Sequence, residues 1–325
     1  MRSPTIDRSL RRPLVDRSYR TRRKSIWGRL FGSLVLVGTL GGVSFTGAVM
    51  TNTFGMGERF DHIQDRIERF LAGPPPDRPT RPTVVVPPEP SESPEPSATV
   101  PPSVAPGESA PPTPRPTPKP ERRPVDVNLL RNPARYFATE IDNDWCAVAG
   151  VQMVLAIHGR GNTSDGLQHE IAGRIREWES YEDSRNGGWG PAAMVEALND
   201  YGVRGYEIRA YESRNQAMRD AARAIQKTKA PVILLTWRGA HTWVMTGFRA
   251  NADPALFPGV DVTGAYILDP WYPRISSIWG PSDGPGVFQD AAEMERNYLR
   301  WERPEGAYPD RDGMFIAVVP TIPIG

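Results

Sequence analysis

More than half of the 35 prolines in this 325-residue chain fall between Pro74 and Pro124, in runs such as PPEPSESPEPS and PPTPRPTPKP. Proline fixes φ and donates no backbone hydrogen bond, so such a stretch sustains neither helix nor sheet interior. With Ser, Thr and Glu between the prolines, residues 72–124 read as a disordered, solvated linker with polyproline character. Fully extended at about 3.1 Å per residue, that linker would reach roughly 150 Å. What remains foldable is roughly 200 residues, enough for one domain with its own core. Charge removes another class of answer. With 39 Lys+Arg against 38 Asp+Glu and a net charge of +1, the chain lacks the basic excess that nucleic-acid capture uses.

The linker divides two different compositions. Before it, residues 1–29 form a basic tail carrying Arg2, Arg8, Arg11, Arg12, Arg17, Arg20, Arg22, Arg23 and Lys24. Residues 30–50, LFGSLVLVGTLGGVSFTGAVM, contain no charge. As a helix this run spans about 31 Å, matching a bilayer core of roughly 30 Å. It is longer than the apolar region of a cleaved signal peptide, so it reads as an uncleaved signal anchor. Basic residues stay on the cytoplasmic side, which places the C-terminal part outside the cell. In residues 58–71, Phe60, Ile63, Ile67 and Phe70 recur at helical spacing among charges. That pattern suits a short amphipathic helix, either at the outer membrane surface or in a dimer contact.

Residues 125–325 hold all but one of the nine tryptophans and read as the globular domain. Helices are expected from Cys146 to His158, from Gly166 to Trp178, from Pro191 to Tyr201, and after Ser213, a good N-cap. Strands are expected in VRGYEIRAY, PVILLTW, TWVMTGFRA, AYILD and MFIAVVP, each a short β-branched or aromatic run bounded by Gly, Pro or Asp. Helices first and strands late argue for an α+β fold with an antiparallel sheet.

Cys146 is the single cysteine, which excludes an internal disulfide and any multi-cysteine metal site. It sits at the start of an expected helix, where backbone N–H groups and the helix dipole favour a thiolate. A nucleophilic thiol needs an imidazole partner, and the chain has four histidines. His62 precedes the linker. His158 lies about 18 Å along the same helix from Cys146. His169 falls within another helix. His241, at the start of a strand in RGAHTWVMTGF, is the histidine placed to project into a cleft. Asp269 closes the next strand in AYILDPW, so adjacent antiparallel strands would set it beside His241 as an orienting carboxylate. Trp145, Trp189 and Trp243 are candidates for a cleft wall, with core filling as their other reading. His158 and His169 lack ligand spacing, so neither a metal nor a cofactor is expected.

The stretches NDWCAVAGVQMVLAIHG, GPAAMVEALNDYGV, APVILLTWRGAHTWVMTGF and AYILDPWYP resemble peptidase family C-39, which removes bacteriocin leader peptides, and its wider set of C-39-like domains. The resemblance covers roughly residues 137–273 and the last strand. It implies a papain-like α+β fold with Cys146 as nucleophile, His241 as general base and acid, and Asp269 orienting the imidazole. Two positions depart from the pattern. Glu140 stands where the family has a glutamine whose amide helps hold the oxyanion. An ionised carboxylate would repel that charge, which leaves a protonated Glu140, the Asn143 amide or the Cys146 N–H as oxyanion donors. CAVAG stands where the family shows Cys-Gly-Pro-Ala.

The expectation is therefore a membrane-anchored, extracytoplasmic, thiol-dependent hydrolase cleaving a peptide or a cell-wall peptide. Two alternatives accompany it. One is a catalytically silent binding module on a stalk; the other is a cell-wall peptide amidase.

Overall fold

A strand that is apolar at every position needs cover on both faces. PVILLTW and MFIAVVP are such runs, and both lie at the centre of a sheet between two layers of helices. In a computed structural model of the chain, the described residues are 71, 73–88, 120–183, 189–303 and 306–324. All belong to the second of its two units, Arg69–Gly325. The basic tail, the expected anchor at 30–50 and all but the last residue of the 58–71 stretch lie outside the described residues. Among the described residues, no helix is long and apolar enough to cross a membrane.

The strands are β1 (Thr83–Val85), β2 (Val125–Asn128), β3 (Tyr206–Tyr211), β4 (Val232–Thr236), β5 (His241–Ala250), β6 (Val262–Leu268), β7 (Ile275–Ser276), β8 (Gly280–Pro281), β9 (Val287–Asp290) and β10 (Phe315–Pro320). The helices are α1 (Cys146–Ile157), α2 (Asp165–Gly173), α3 (Ile175–Trp178), α4 (Pro191–Asp200), α5 (Arg214–Thr228) and α6 (Ala291–Asn297). The main sheet runs β1-β3-β10-β4-β5-β6-β9, with β2 also paired to β5. Its pairings are antiparallel, apart from β1 beside β3. The fold is thus mixed α+β and rich in sheet.

Alternation along the strands assigns the two faces. Ile233, Leu235, Val244, Ile316 and Val318 pack with α1 and α4 in one core. Val232, Leu234, Trp243, Ala317 and Val319 pack with α5 in the other. Every residue of α1 from Ala147 to Ala156 is buried. At Gly150 an added Cβ would lie 2.7 Å from Thr242 Cγ2, so this glycine is what lets α1 press against β5. Caps behave as expected at Ser213, whose hydroxyl accepts from Gln216 N at 3.2 Å. The expected 166–178 helix instead breaks at Arg174 into α2 and α3.

The linker expectation needs correction at its N-terminal end. Residues 73–88 do not run free but lie along the domain. Val84 pairs with Arg209 across the β1–β3 ladder, and Gln216 Nε2 donates to Pro87 O at 2.6 Å. Arg311 Nε donates to Thr83 Oγ1 at 3.1 Å. The reason is local: Thr83–Val86 is a β-branched run, and it offers its backbone to the open edge of β3. Proline flanks are tolerated on an edge strand.

Candidate active site

The start of α1 comes together with the start of β5 and the end of β6. Thr236 pairs with His241 across β4–β5, and Val244 pairs with Leu268 across β5–β6. Asp269, the next residue, therefore reaches His241. Its Oδ1 lies 2.7 Å from His241 Nε2, and both side chains are almost wholly buried. The same Oδ1 accepts from Trp271 N at 2.9 Å. With Nε2 held by the carboxylate, Nδ1 is the imidazole atom left for other chemistry. The ring is also held flat: Trp237 stacks on it with centroids 4.0 Å apart and planes 20° apart. Trp237 is itself tied to Asn297 Oδ1 through Nε1 at 2.8 Å.

Cys146 is half-buried, and its Sγ is 4.0 Å from Ala240 O. One oxygen of Glu140, Cys146 Sγ and one ring nitrogen of His241 all lie within 4.8 Å of one another. No such grouping is legible from the spacing of residues 140, 146 and 241, and the expectation of no metal-ligand set has to be revised to that extent. Such a trio holds a cation only if acid and thiol both lose their protons, and burial opposes both losses. The Cys146 thiol is pushed up chiefly by burial, and further by Glu140 and Asp144 where these are ionised, against opposition from Thr242 and the Ala147 N–H. Glu140 is pushed up to about 9, chiefly by burial. The helix start therefore does not give the preformed thiolate expected of it. The lost solvation outweighs what the helix start offers.

Glu140 is fully buried and clamped from several sides. Its N–H donates to Pro270 O at 3.0 Å. Gln168 brackets it, donating to Thr139 O and accepting from Ile141 N. Arg274 Nη1 donates to Glu140 Oε1 at 3.0 Å and to Asn143 Oδ1 at 2.9 Å. The Asn143 carbonyl is thus committed, leaving its amide nitrogen as the donor end. Asn143 lines a cavity of about 150 Å³ beside Cys146 and His241.

That cavity is walled by Trp189, Trp237, Trp271 and Trp301, with Asp144, Asp183 and Arg303 supplying charge. Of the three tryptophans expected at a cleft, Trp189 lines it. Trp145 instead turns its ring edge-on to His169, with centroids 5.2 Å apart. Trp243, two residues along β5, lies deep in the α5-side core. A strand residue past the sheet edge meets core rather than cleft. His158 pairs with the Tyr206 hydroxyl at 3.1 Å, His169 with Asp165 O at 2.9 Å, and His62 lies outside the described residues.

Sequence reasoning missed Trp237, Thr242, Trp271 and Arg274. Trp271 and Arg274 follow Asp269 in DPWYPR, so a signal was present. Trp237 carried none: it, Arg238 and Gly239 take φ of 50°, 61° and 83° in succession. Left-handed backbone is expected of Gly239 alone.

Comparison with known proteins gives the following. The model of the Peptidase_C39 like family matches residues 128–303. No curated protein matches. Among solved structures, the chain is similar to a double glycine motif protease from an AMS/PCAT transporter, solved in complex with the leader peptide. The identity is 18%, covering 61% of this chain and 99% of that chain, with a TM-score of 0.30.

Proposed function

The chain belongs to the Peptidase_C39 like family, and on that premise we propose that it is a papain-like cysteine peptidase using Cys146, His241 and Asp269. One observation carries the reading most: His241 is bound to Asp269 through one nitrogen while a ring nitrogen stands within 4.8 Å of Cys146 Sγ. In this reading Asp269 fixes the imidazole tautomer and orientation. Because the resting thiol keeps its proton, His241 takes it as the sulfur attacks the substrate carbonyl. The S–C bond forms and the proton passes to the leaving amine as the C–N bond breaks. His241 then takes a proton from water as its oxygen attacks the thioester carbonyl; the S–C bond breaks, the carboxylic acid leaves, and that proton passes to sulfur. The Leu30–Met50 segment would anchor the domain on the outer face of a membrane, facing peptides or cell-wall peptides.

The experiment uses the full chain, p-nitrophenyl acetate and fluorogenic peptide amides. Cys146→Ala should give no acyl-enzyme burst, His241→Ala should lose at least about 10³-fold, and Asp269→Asn about 10²–10⁴-fold. Wild-type rates in purified Cys146→Ala would overturn the proposal. A second reading, a silent binding module, is favoured by the raised thiol. It expects peptide binding that survives Cys146→Ala, with no turnover in either protein. Cell-wall peptides given alongside linear peptides separate the amidase reading.

A further inference from the structure

We propose that Arg311 is a positioning residue for the cavity beside Cys146. It fastens Thr83, on the strap formed by residues 73–88, to the cavity-lining Asp183 and Trp301, so that the docked strap sets how wide the cavity opens. The proposal rests on the reading of Cys146 as a peptidase nucleophile and adds what shapes the substrate's access to it. Arg311 is buried, and its guanidinium has three kinds of neighbour. Nε donates to Thr83 Oγ1 at 3.1 Å. Nη2 lies 2.8 Å from Asp183 Oδ1, in an ion pair whose two side chains are almost wholly buried. The planar group lies over Trp301 and Tyr308, 5.5 and 5.1 Å from their ring centroids. Asp183 and Trp301 line the cavity; Arg311 stands behind them. Both Thr83 and Arg311 fall outside residues 128–303, the family-matched stretch.

A buried guanidinium and a buried carboxylate hold each other firmly, because either one alone would be left desolvated and unpaired. Asp183 passes that hold on to the cavity wall. Its Oδ2 accepts from Ala192 N and Ala193 N, both at 3.1 Å, at the start of α4. Its carbonyl accepts from the Tyr308 hydroxyl at 3.0 Å. Gly190, also on the wall, packs so closely on the Asp183 carboxylate that a Cβ has no room there. The strap grips the residues leading into Asp183 as well. Arg78 donates to the carbonyls of Arg176 and Glu177, and Tyr181 N donates to Pro76 O at 2.9 Å. Asp183 is thus tied to the strap from two directions, along the chain and through Arg311. Thr83 is itself fixed by its pairing with Ile208 across the β1–β3 ladder. An arginine suits the junction because one planar fork reaches Thr83 and Asp183 together, which a lysine ammonium does not. Without the Thr83 bond, one side of the guanidinium is released, and Asp183 and Trp301 can relax away from Cys146.

The test uses the full chain with Thr83→Val, Arg311→Lys, the double variant and Arg81→Ala, each measured well below its melting transition. Thr83→Val keeps a β-branched side chain on β1 and removes the acceptor. Cys146 is the single cysteine, so alkylation reports on it alone. The ratio of its rates with N-(1-pyrenyl)maleimide and with iodoacetamide, a wide and a narrow reagent, cancels the thiolate fraction and reads the opening. That ratio should rise by about fivefold or more in Thr83→Val and in Arg311→Lys, and no further in the double variant. The KM for fluorogenic peptide amides should rise by a similar factor with kcat within about twofold, as lost binding rather than lost chemistry requires. Arg81→Ala, which cuts the strap's exposed ion pair with Glu196, should move neither quantity. An unchanged ratio in either Thr83→Val or Arg311→Lys overturns the proposal, as does an equal rise in Arg81→Ala, which would mean that any loosening of the strap suffices. Failure of the peptidase reading looks different: wild type would turn over no peptide, or Cys146→Ala would match it, and the alkylation ratio would still decide the role of Arg311.

Discussion

Glu140 and Cys146 are residues whose protons are governed by burial rather than by chain position. Glu140 shows the thermodynamic side. Its carboxyl is raised from 4.5 to about 9 in the folded chain, so between those pH values the folded state holds a proton that the unfolded chain has released. Its contribution to stability is present in full below 4.5 and is lost as pH climbs through about 9. Glu140→Gln removes that loss. Thermal melts should show the variant close to wild type at pH 4.5 and ahead of it by roughly 5 °C at pH 8. A gap that does not widen with pH would show the carboxyl ionised in the fold. Cys146 and His241 were legible as residues because the chain offers one cysteine and four histidines. The protonation of Cys146 was not legible, because Glu140, six positions earlier, folds back beside it.

At the scale of elements, the site depends on how closely α1 approaches β5. Gly150 sits at that contact, where an added Cβ would come within 2.7 Å of the short, branched Thr242 side chain. Alanine is worth about 1 kcal/mol over glycine in a helix interior. The clash should outweigh that gain: Gly150→Ala is expected to be destabilised by about 1–3 kcal/mol, with slower acylation as α1 lifts Cys146 from His241. Denaturant midpoints and burst rates measure both; a more stable variant would show that the contact has slack. The positions of α1, α4, α5 and the central strands were readable from periodicity, caps and β-branched runs. The strands β7, β8 and β9 and the helix α6 were not, since two to seven residues carry too little pattern.

At the scale of the whole described unit, one sheet edge is fastened by a segment that composition assigns to the linker. Within residues 73–88, Thr83–Val85 cover the edge of β3, and Pro87 links the segment to α5 through Gln216. A chain beginning at residue 120 should therefore melt lower, by about 5 °C or more, and should tend to self-associate, because a bare strand edge templates pairing. Melting and light scattering against the full chain would decide this; equal stability and a monomer would make the strap an ornament of the fold.

Several properties follow from the sequence alone, because they depend on local chemistry: a linker rich in proline, helices and strands of marked period, one thiol, and His241 and Asp269 at the ends of adjacent strands. Tertiary structure decided the rest. It turned Trp243 and Trp145 away from the cavity and brought in Trp237, Trp271 and Trp301. It set Arg274 on Glu140 across the fold and drew part of the linker into the sheet. Contacts between residues more than a hundred positions apart depend on which faces end up buried together, and burial then determines which of their protons are kept.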